Sequence, residues 1–288
     1  MMIRHIGRHL SFMGRLPLLA AAFLALAGPI KARAQAPAPT GQPKPMALDA
    51  DPSFDVATIK PNNSAEASLR GLGLNGRDFT TKNSSLADLM AFAYGVQVKQ
   101  IENGPGWMET DRYDVDAVPD REGTPSVTQL RTMVQRLLAD RFKLTTHNEK
   151  REMPAYVLTA GKGPKLTPTQ LTGSFPDVRF EPAQAGLQFT VRNITLAGYA
   201  HVLQIAILDR PVVDQTGING SFDIQVTFTP DDSQFNGHPP RLPPPPDTVE
   251  AAPLLFDAIQ QQLGLKLAAQ KAQVDVIAID HVEKPSPN

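Results

Sequence analysis

The sequence predicts an α+β fold made of two tandem copies of one unit, each running strand, helix, strand, helix, strand, strand, with the helices packed on mixed sheets. Residues 79–89 (FTTKNSSLADL) recur at 189–199 (FTVRNITLAGY), an offset of 110 residues. The offset is nearly kept where YDVDAV at 113–118 is matched by FDIQVTF at 222–228, 109 residues later. Similar spacing over so long a stretch predicts one structural unit of about 110 residues, present twice.

Each copy opens with a strand that runs into an amphipathic helix. In the first copy, apolar residues recur at helical spacing over residues 85–94. Ser85 and Asp88 have the spacing of a capping box, and Gly95 provides a stop signal. The second copy repeats the apolar stripe with Leu196, Tyr199, Leu203 and Ile207.

The later elements of the two copies also match in kind. FDIQVTF alternates apolar and polar residues, which is typical of a half-buried strand. A second helix is predicted at 127–138, with a shorter counterpart at 255–263 that ends at Gly264. Each copy then closes on two apolar runs, FKLTTH with PAYVLTA and LKLAAQ with VDVIAID, which we interpret as terminal hairpins.

The N-terminal residues 1–34 have the pattern of a secretory signal peptide: basic residues, an apolar run at 16–28, and an A-x-A site before Gln35. The apolar run is shorter than the roughly 18 residues that a membrane-spanning helix needs. No later segment is apolar enough to span a membrane. We therefore expect cleavage near Gln35 and a periplasmic or secreted protein, with retention of the leader as an anchor as the alternative.

The remaining chain divides at changes of composition. Residues 35–52 are rich in Ala and Pro and predict a flexible linker. The first copy is assigned to 53–170 and the second to 171–288. A proline-rich stretch at 230–253 is interpreted as an exposed insertion inside the second copy.

Charge and cysteine content exclude several functions. Without residues 1–34 the chain carries 23 Lys and Arg against 29 Asp and Glu, a formal charge of −6. Such a charge disfavours nucleic acid and anionic membrane surfaces as partners. The absence of cysteine excludes disulfides, thiolate metal sites and a Cys nucleophile. No cofactor is predicted, because the GLGLNG stretch at 71–76 leads into a strand and does not open a helix.

Two His-x-Glu pairs raise the possibility of metal-assisted chemistry. His147 with Glu149, and His281 with Glu283, would each share one face of a strand. The two pairs do not occupy corresponding positions in the copies, so solvated hairpin charges are the favoured interpretation. A fold that brings the two histidines within about 5 Å of each other would favour a hydrolase instead.

Candidate ligand-binding residues cluster around the equivalent links NGPGWMETDRYD (103–114) and DRPVVDQTGINGSFD (209–223). The single tryptophan follows a tight turn, either as a buried plug, which is favoured, or as a stacking platform. In the second link an aspartate suits a turn, and an arginine suits a neighbouring aspartate or a ligand anion. The candidates are Trp107, Tyr94, Arg112, Arg210 and Asp214.

Six ordered segments across about residues 53–288 resemble a soil-associated family of exported bacterial proteins known only as a domain of unknown function. They are FDVATIKPN, FTTKNSSLADLMAFAYGV, GPGWMETDRYDVDA, LLADRFKLTTHNEKREMPAYVL, RPVVDQTGINGSFD and QQLGLKLAAQKAQVDVIAIDHVEKPSPN. The resemblance implies export and, in some members, fusion to a β-lactam-responsive sensor metallopeptidase, and it carries over no catalytic residue. More weakly, the unit is similar to the short N-terminal domain of secretins and TonB-dependent receptors.

Taken together, these features favour a non-catalytic extracytoplasmic module that binds a small ligand or an envelope protein. One alternative is a periplasmic hydrolase, metal-assisted through His147 and His281. Another is a cell-envelope scaffold. The sequence shows no nucleophile elbow, which is why an enzyme is the less favoured class.

Overall fold

The computed structural model describes residues 44–64, 71–171 and 176–285, with only the backbone of residues 71 and 72. The predicted signal peptide and the first part of the predicted linker lie outside the described residues. The elements in chain order are β1 (Phe54–Pro61), β2 (Gly71–Asn75), β3 (Asp78–Ser84), α1 (Leu86–Tyr94), β4 (Ile101–Glu102), α2 (Trp107–Thr110), β5 (Tyr113–Pro119), α3 (Val127–Arg141), β6 (Thr145–Ala160), β7 (Thr167–Pro168), β8 (Asp177–Ala183), β9 (Gly186–Ile194), α4 (Leu196–Ala206), β10 (Val212–Asp214), β11 (Phe222–Phe228), α5 (Leu255–Ala258) and β12 (Leu265–His281).

The strands form three four-stranded sheets, and the predicted α+β class is confirmed. The two outer sheets are antiparallel, with strand orders β1-β5-β3-β2 and β7-β11-β9-β8. The middle sheet has the order β10-β6-β12-β4 and is mixed, because β6 and β12 run antiparallel while β10 and β4 join them in parallel. The GLGLNG stretch forms β2 and the turn into β3.

The local signals of the sequence explain the first helix of each half. The side chain of Ser85 accepts a hydrogen bond from the Asp88 N–H, and the Asp88 carboxylate accepts one from the Ser85 N–H, each over 3.0 Å. This capping box begins α1, which ends at Tyr94 as predicted. The hydroxyl of Thr195 caps α4 in the same way, accepting from the Gly198 N–H over 3.1 Å.

The predicted terminal hairpins are wrong. Each pair of apolar runs shares one continuous strand, β6 with 16 residues and β12 with 17, although residues 142–144 of the first run precede β6. The two strands pair with each other in antiparallel register, from Ala160 opposite Leu265 to Thr145 opposite His281. The stretches 148–153 and 271–273 between the runs contain no glycine. A tight hairpin needs residues with positive φ, so these stretches stay extended.

The long strands exchange their ends between two hydrophobic cores. The first core lies between the sheet of β3 and β5 and helices α1 and α3, and the far end of β12 completes it with Ile277 and Ile279. The second core lies among β9, β11, α4 and α5, and the far end of β6 completes it with Tyr156 and Leu158. Each half of the fold is therefore closed by a strand that begins in the other half.

Matched local geometry accompanies the matched sequences. Asn83 and Asn193 both have positive φ, at 53° and 54°. Their N–H groups donate to the carboxylates of Asp114 and Asp223 respectively, each over 2.9 Å. The strands β5 and β11 also show the same alternation of buried and open positions. An origin of the two halves by duplication, with a boundary between residues 170 and 171, stays a prediction.

Part of the predicted linker lies against α3. Met46 is buried, and its N–H donates to the carbonyl of Thr124 over 2.8 Å. The side-chain amide of Gln129 donates to the carbonyls of Ala47 and Ala50 over 2.8 and 3.0 Å. Residues 44–52 therefore differ from the expected flexible spacer, because their backbone carbonyls are partners for polar side chains of the helix.

The proline-rich segment at 230–253 has little regular structure and yet is anchored on the second core. The Phe235 side chain packs against that core, and its N–H donates to the carbonyl of Ile207 over 2.7 Å. Gln234 beside it is fully buried. The segment was predicted to be exposed, and these two residues depart from that expectation because an aromatic anchor ties the chain down.

One buried hydroxyl in the second core predicts a stabilising substitution. Tyr199 is fully buried against Phe189, with ring centroids 5.7 Å apart, and its hydroxyl has no hydrogen-bond partner among the described residues. Burial raises the pKa of Tyr199, since the phenolate is disfavoured there. A buried hydroxyl without a partner costs about 1–3 kcal/mol, so Tyr199→Phe should raise the free energy of unfolding by about 1–2 kcal/mol in urea denaturation.

Tyr156→Phe is the matched control, because it removes a hydroxyl that does have a partner. The Tyr156 hydroxyl donates to the Asp209 carboxylate over 3.0 Å. Its removal should lower the free energy of unfolding by about 1–2 kcal/mol. A destabilised Tyr199→Phe protein would contradict the assignment of an unpartnered hydroxyl.

Candidate functional site

A cleft of about 540 Å³ opens between α1, α3 and α4, and we call it the helix cleft. Small-molecule sites in proteins typically have volumes of about 300–1,000 Å³. Its lining includes side chains from both halves of the fold: Asp88, Phe92, Lys99, Arg131, Gln204 and Asp209. The cleft is therefore large enough for a small ligand and depends on the two halves being held together.

Gly95, at the end of α1, allows side chains of α3 and α4 to pack closely against it beside the helix cleft. It ends α1 in the left-handed conformation, with φ at 67°. A Cβ atom at this position would lie 2.9 Å from Arg131 Nη1 and 3.0 Å from His201 Cε1. Glycine is thus favoured here by the backbone conformation, and a larger residue would also displace the ends of the two side chains that pack over it.

A network of glutamine side chains fixes the floor of the helix cleft. The Gln97 amide donates to the carbonyls of Gln204 and Leu208 over 2.9 and 2.8 Å. The Gln204 amide donates to the side-chain oxygen of Gln100 over 2.9 Å, and the Gln100 amide donates to the carbonyl of Asp275 over 2.9 Å. These bonds connect α4 to the segment after α1 and to β12, so the floor is cross-linked by side chains from several elements.

The two carboxylates that line the helix cleft are each engaged by neighbouring groups. The Asp88 carboxylate accepts from Arg112 Nη1 over 3.0 Å. The Asp209 carboxylate accepts from the Tyr156 hydroxyl over 3.0 Å and lies 3.4 Å from Arg210 Nε. Both negative charges are thus balanced by an arginine of the surrounding protein.

The two cations that line the helix cleft have no acidic partner among the described residues. Lys99 Nζ donates to the backbone carbonyl of Asp209 over 3.0 Å. Arg131 Nη1 lies 3.3 Å from His201 Nε2, and Arg131 Nε is buried with no hydrogen-bond partner in the described part of the chain. Burial, and then the charge of Arg131, lower the pKa of His201, which therefore accepts a hydrogen bond as a neutral ring.

Two of the sequence-predicted candidates contact the carboxylates that line this cleft. Arg112 holds Asp88, and Arg210 holds Asp209 and also lies over the Tyr156 ring, 5.5 Å from its centroid. Neither arginine is among the residues that line the cleft. Their observed role is to neutralise its carboxylates, and a direct role for them in ligand binding stays a prediction.

Trp107 lies apart from the helix cleft, at the start of α2. Its ring packs against the first core and is only partly exposed. Lys284 Nζ lies 5.5 Å from the ring centroid and also pairs with the Asp111 carboxylate over 2.6 Å. A cation already occupies one face of the ring, which is consistent with the plug that the sequence favours.

The remaining candidates, Tyr94 and Asp214, have local partners. The Tyr94 hydroxyl accepts from Thr146 Oγ1 over 3.2 Å. The Asp214 carboxylate accepts from the N–H and the hydroxyl of Thr216, over 2.9 and 2.8 Å, as in a side-chain-closed turn. The structure does not bring the five candidates together, and a ligand role for these two stays a prediction.

Arg131 and Lys99 were missed by the sequence reasoning. One signal for Arg131 was present: it lies four residues after Val127 and three before Val134, at the edge of the apolar stripe of α3. A charged side chain at the edge of an apolar stripe either lies along its own helix or packs against a neighbouring element. For Lys99 the sequence offered no comparable signal.

The histidines of the predicted His-x-Glu pairs are bound to carboxylates. His147 has Glu149 Oε1 and Asp280 Oδ1 each 2.8 Å from a ring nitrogen, and His281 has Glu283 Oε1 at 2.9 Å. Across the described residues there is no group of three or more such side chains suited to hold a metal ion. In both pairs the histidine ring is hydrogen-bonded to a neighbouring carboxylate on an exposed part of the strands β6 and β12.

The two carboxylates beside His147 predict a pH dependence. Hydrogen bonds to Glu149 and then to Asp280 raise the pKa of His147 above its usual 6.5. A raised pKa in the folded state gives stability that is present below pH 6.5 and is lost as the pH rises through the folded value. Proton NMR should show His147 titrating above 6.5, and the stability advantage of the wild type over His147→Gln should decrease on going to higher pH. Equal pH profiles for the two proteins would contradict this.

The fold and the helix cleft define an α+β protein with a cavity of ligand size. Residues 87–282 match the model of a family described as "Protein of unknown function (DUF3738)", and the chain belongs to this family. The expected membership in a domain of unknown function is thereby confirmed. No curated protein matches the chain, and no solved structure does. In the described part of the chain no helix is long and apolar enough to cross a membrane.

Proposed function

We propose that this protein is a non-catalytic binding module that acts outside the cytoplasm and takes a small ligand into the helix cleft. The observation that carries the proposal is the cavity of about 540 Å³ between α1, α3 and α4. A cavity of this volume accommodates a small organic molecule. In proteins that bind such molecules, the cavity usually exists before the ligand binds.

The cross-linked floor of the helix cleft supports this proposal. The side-chain amide groups of Gln97, Gln100 and Gln204 donate to one another's oxygens or to backbone carbonyls at distances of 2.8–2.9 Å, while the Gln97 side-chain oxygen is buried without a partner among the described residues. A ligand therefore needs little reordering of the protein on this side. Preorganisation of this kind lowers the entropic cost of binding.

The apolar walls supply contact area. Val127 and Ile205 line the helix cleft from α3 and α4, and they are 61% and 43% exposed. Phe92 and Val98 add further apolar surface. Large apolar side chains left open on two facing helices are a common feature of binding grooves. A ligand between them would bury apolar area from both halves.

Export and duplication belong to the same proposal. The leader at residues 1–34 supports a periplasmic or secreted location, and fractionation with N-terminal sequencing should find a mature chain that starts near Gln35. Two copies of one unit would explain why the cleft is made by helices from both halves. A cytoplasmic protein that retains its first residues would overturn the export proposal.

A partner protein is the second candidate, and one observation favours it. The edge strand β8 leaves Val178 and Phe180 exposed, at 41% and 36%. An envelope protein could add a strand at such an edge. The hydrolase alternative is supported only by the two histidine–carboxylate pairs at His147 and His281, and the scaffold alternative predicts envelope partners and no small ligand.

A thermal-shift screen tests the cleft directly. The protein is screened against cell-wall fragments, β-lactams and divalent metal ions, and a ligand at about 100 times its dissociation constant should add about 2.7 kcal/mol of stability. Ile205→Trp should abolish this stabilisation by filling the cleft. Val178→Trp, an equally exposed site on β8, should leave it unchanged. Stabilisation that persists in Ile205→Trp would place the ligand outside the helix cleft. If no compound in the screen stabilises the protein, the cell-envelope scaffold alternative is favoured.

A further inference from the structure

The guanidinium of Arg131 is the unusual charge of the helix cleft. Arg131 is only partly exposed, its Nε atom is buried without a hydrogen-bond partner in the described part of the chain, and burial lowers its pKa. Arginine side chains removed from water are normally paired, since an isolated cation in a poorly solvated place is costly. The nearest polar side chain is His201, which is a neutral group.

No carboxylate of the cleft serves as the missing partner. Asp88 lines the same cavity but is bound by Arg112 and by the N–H of Ser85, each over 3.0 Å. Asp209 is bound by the hydroxyl of Tyr156 and lies beside Arg210. The negative charges of Asp88 and Asp209 are thus balanced by Arg112 and Arg210, which do not line the cleft. The positive charges of Arg131 and Lys99 therefore remain in excess within it.

We infer that the helix cleft takes a ligand that carries an anionic oxygen group, a carboxylate or a phosphate, and that this group binds to Arg131. The inference rests on the proposed function and adds the chemical class of the ligand. A guanidinium presents its N–H donors in a planar fork that matches two oxygens of a carboxylate or phosphate. Arg131 Nη2 makes no hydrogen bond to any residue that the structure describes, so it is the donor left for the ligand. Lys99 adds a second positive charge on the wall of the cavity.

The apolar lining restricts the ligand further. Val127 lies one turn before Arg131 on α3, and Ile205 faces the cavity from α4. A ligand with an anionic head and an apolar body would match both features at once. Benzoate is a small molecule with an anionic carboxylate and an apolar ring. Benzamide is its neutral counterpart and has almost the same shape.

The test is an NMR titration of the isotopically labelled protein with benzoate, benzamide, citrate and inorganic phosphate, at constant ionic strength set with sodium chloride. The anions should shift the amide signals of the cleft segments, and benzoate should bind more tightly than benzamide. Arg131→Gln should weaken binding of the anions by about 10- to 100-fold, as expected for loss of a charge-assisted hydrogen bond. Its effect on benzamide should be less than about threefold.

Two further variants keep the test decisive. Arg131→Lys retains the charge without the fork and should give an intermediate loss. Arg136→Gln removes a charge from the same helix outside the cleft, where Arg136 pairs with Asp51 over 2.7 Å, and should leave anion binding unchanged. Thermal melts establish that each variant is folded.

The outcomes separate this inference from the proposed function. If benzamide and benzoate shift the same cleft signals with equal affinity, or if Arg131→Gln binds the anions as the wild type does, the anionic class is wrong while the cleft remains a binding site. If no probe of either charge shifts the cleft signals, the inference is overturned, and the thermal-shift screen with Ile205→Trp then decides on the proposed function.

Discussion

Neither half of the protein is expected to fold when it is produced alone. Fragments 35–170 and 171–288, cut at the predicted boundary between the copies, should each lack a cooperative thermal transition. The reason is the exchange of strand ends: the first core is completed by Ile277 and Ile279 of β12, and the second by Tyr156 and Leu158 of β6. A buried side chain of this size contributes about 1.5–3 kcal/mol, so each fragment loses about 3–6 kcal/mol.

That loss is comparable with the whole stability of an ordinary domain, about 5–15 kcal/mol. The short strands β4 and β10 would also lose β12 and β6, with which they pair in the described part of the chain. Far-UV circular dichroism and thermal melting of each fragment give the result, with the intact chain as the control. Mixing or co-expressing the two fragments should restore a folded complex.

A single fragment that melts cooperatively would contradict this prediction. It would show that the half in question closes its own core without the exchanged strand end. The boundary between residues 170 and 171 would then separate two autonomous domains, and the helix cleft would lie between bodies that are free to move.

The parts of the fold that depend on neighbours in sequence were predictable. The capping box of Ser85 and Asp88, and the glycine that ends α1, act within one turn, so their residues alone determine the outcome. The alternation in FDIQVTF likewise requires only one buried face, and β11 buries Phe222, Ile224, Val226 and Phe228.

The partners of the long strands were not predictable in the same way. Nothing within residues 145–160 indicates that their apolar end packs in the other half, because an apolar run has the same pattern in either core. The hairpin interpretation assumed that each run pairs with its neighbour in sequence. Sheet registry over 17 residues arises instead from the match between β6 and β12.

The candidate site depended even more on tertiary structure. The links around Trp107 and Asp214 contain turn residues and rare side chains, which made them candidates, yet these two residues have local structural partners. The cleft is lined by ordinary helix residues that come together only when α1, α3 and α4 pack. Arg131 becomes conspicuous only when its lack of an acidic partner can be seen in three dimensions.

Truncation of either central phenylalanine should cost about 3–5 kcal/mol, the usual range for removing a buried aromatic ring. Phe79 is fully buried in the first core, with ring centroids 5.8 Å from Phe92 and 6.0 Å from Phe54. Phe189 is its counterpart in the second core, 4.7 Å from Phe180 and fully buried too. We expect Phe79→Ala and Phe189→Ala to lower the free energy of unfolding by similar amounts, and Val178→Ala, at an exposed site, by less than about 0.5 kcal/mol.

The single tryptophan makes this pair of variants a test of cooperativity between the halves. Trp107 packs against the first core, so its fluorescence reports on that half, whereas circular dichroism reports on the whole chain. Because the strand ends are exchanged, Phe189→Ala should shift the Trp107 transition in urea as far as the circular dichroism transition. If Trp107 instead kept its wild-type midpoint while the circular dichroism signal divided into two steps, the halves would unfold independently. The shared middle sheet would then not couple the two cores, and the helix cleft would lose the rigid frame on which its binding role depends.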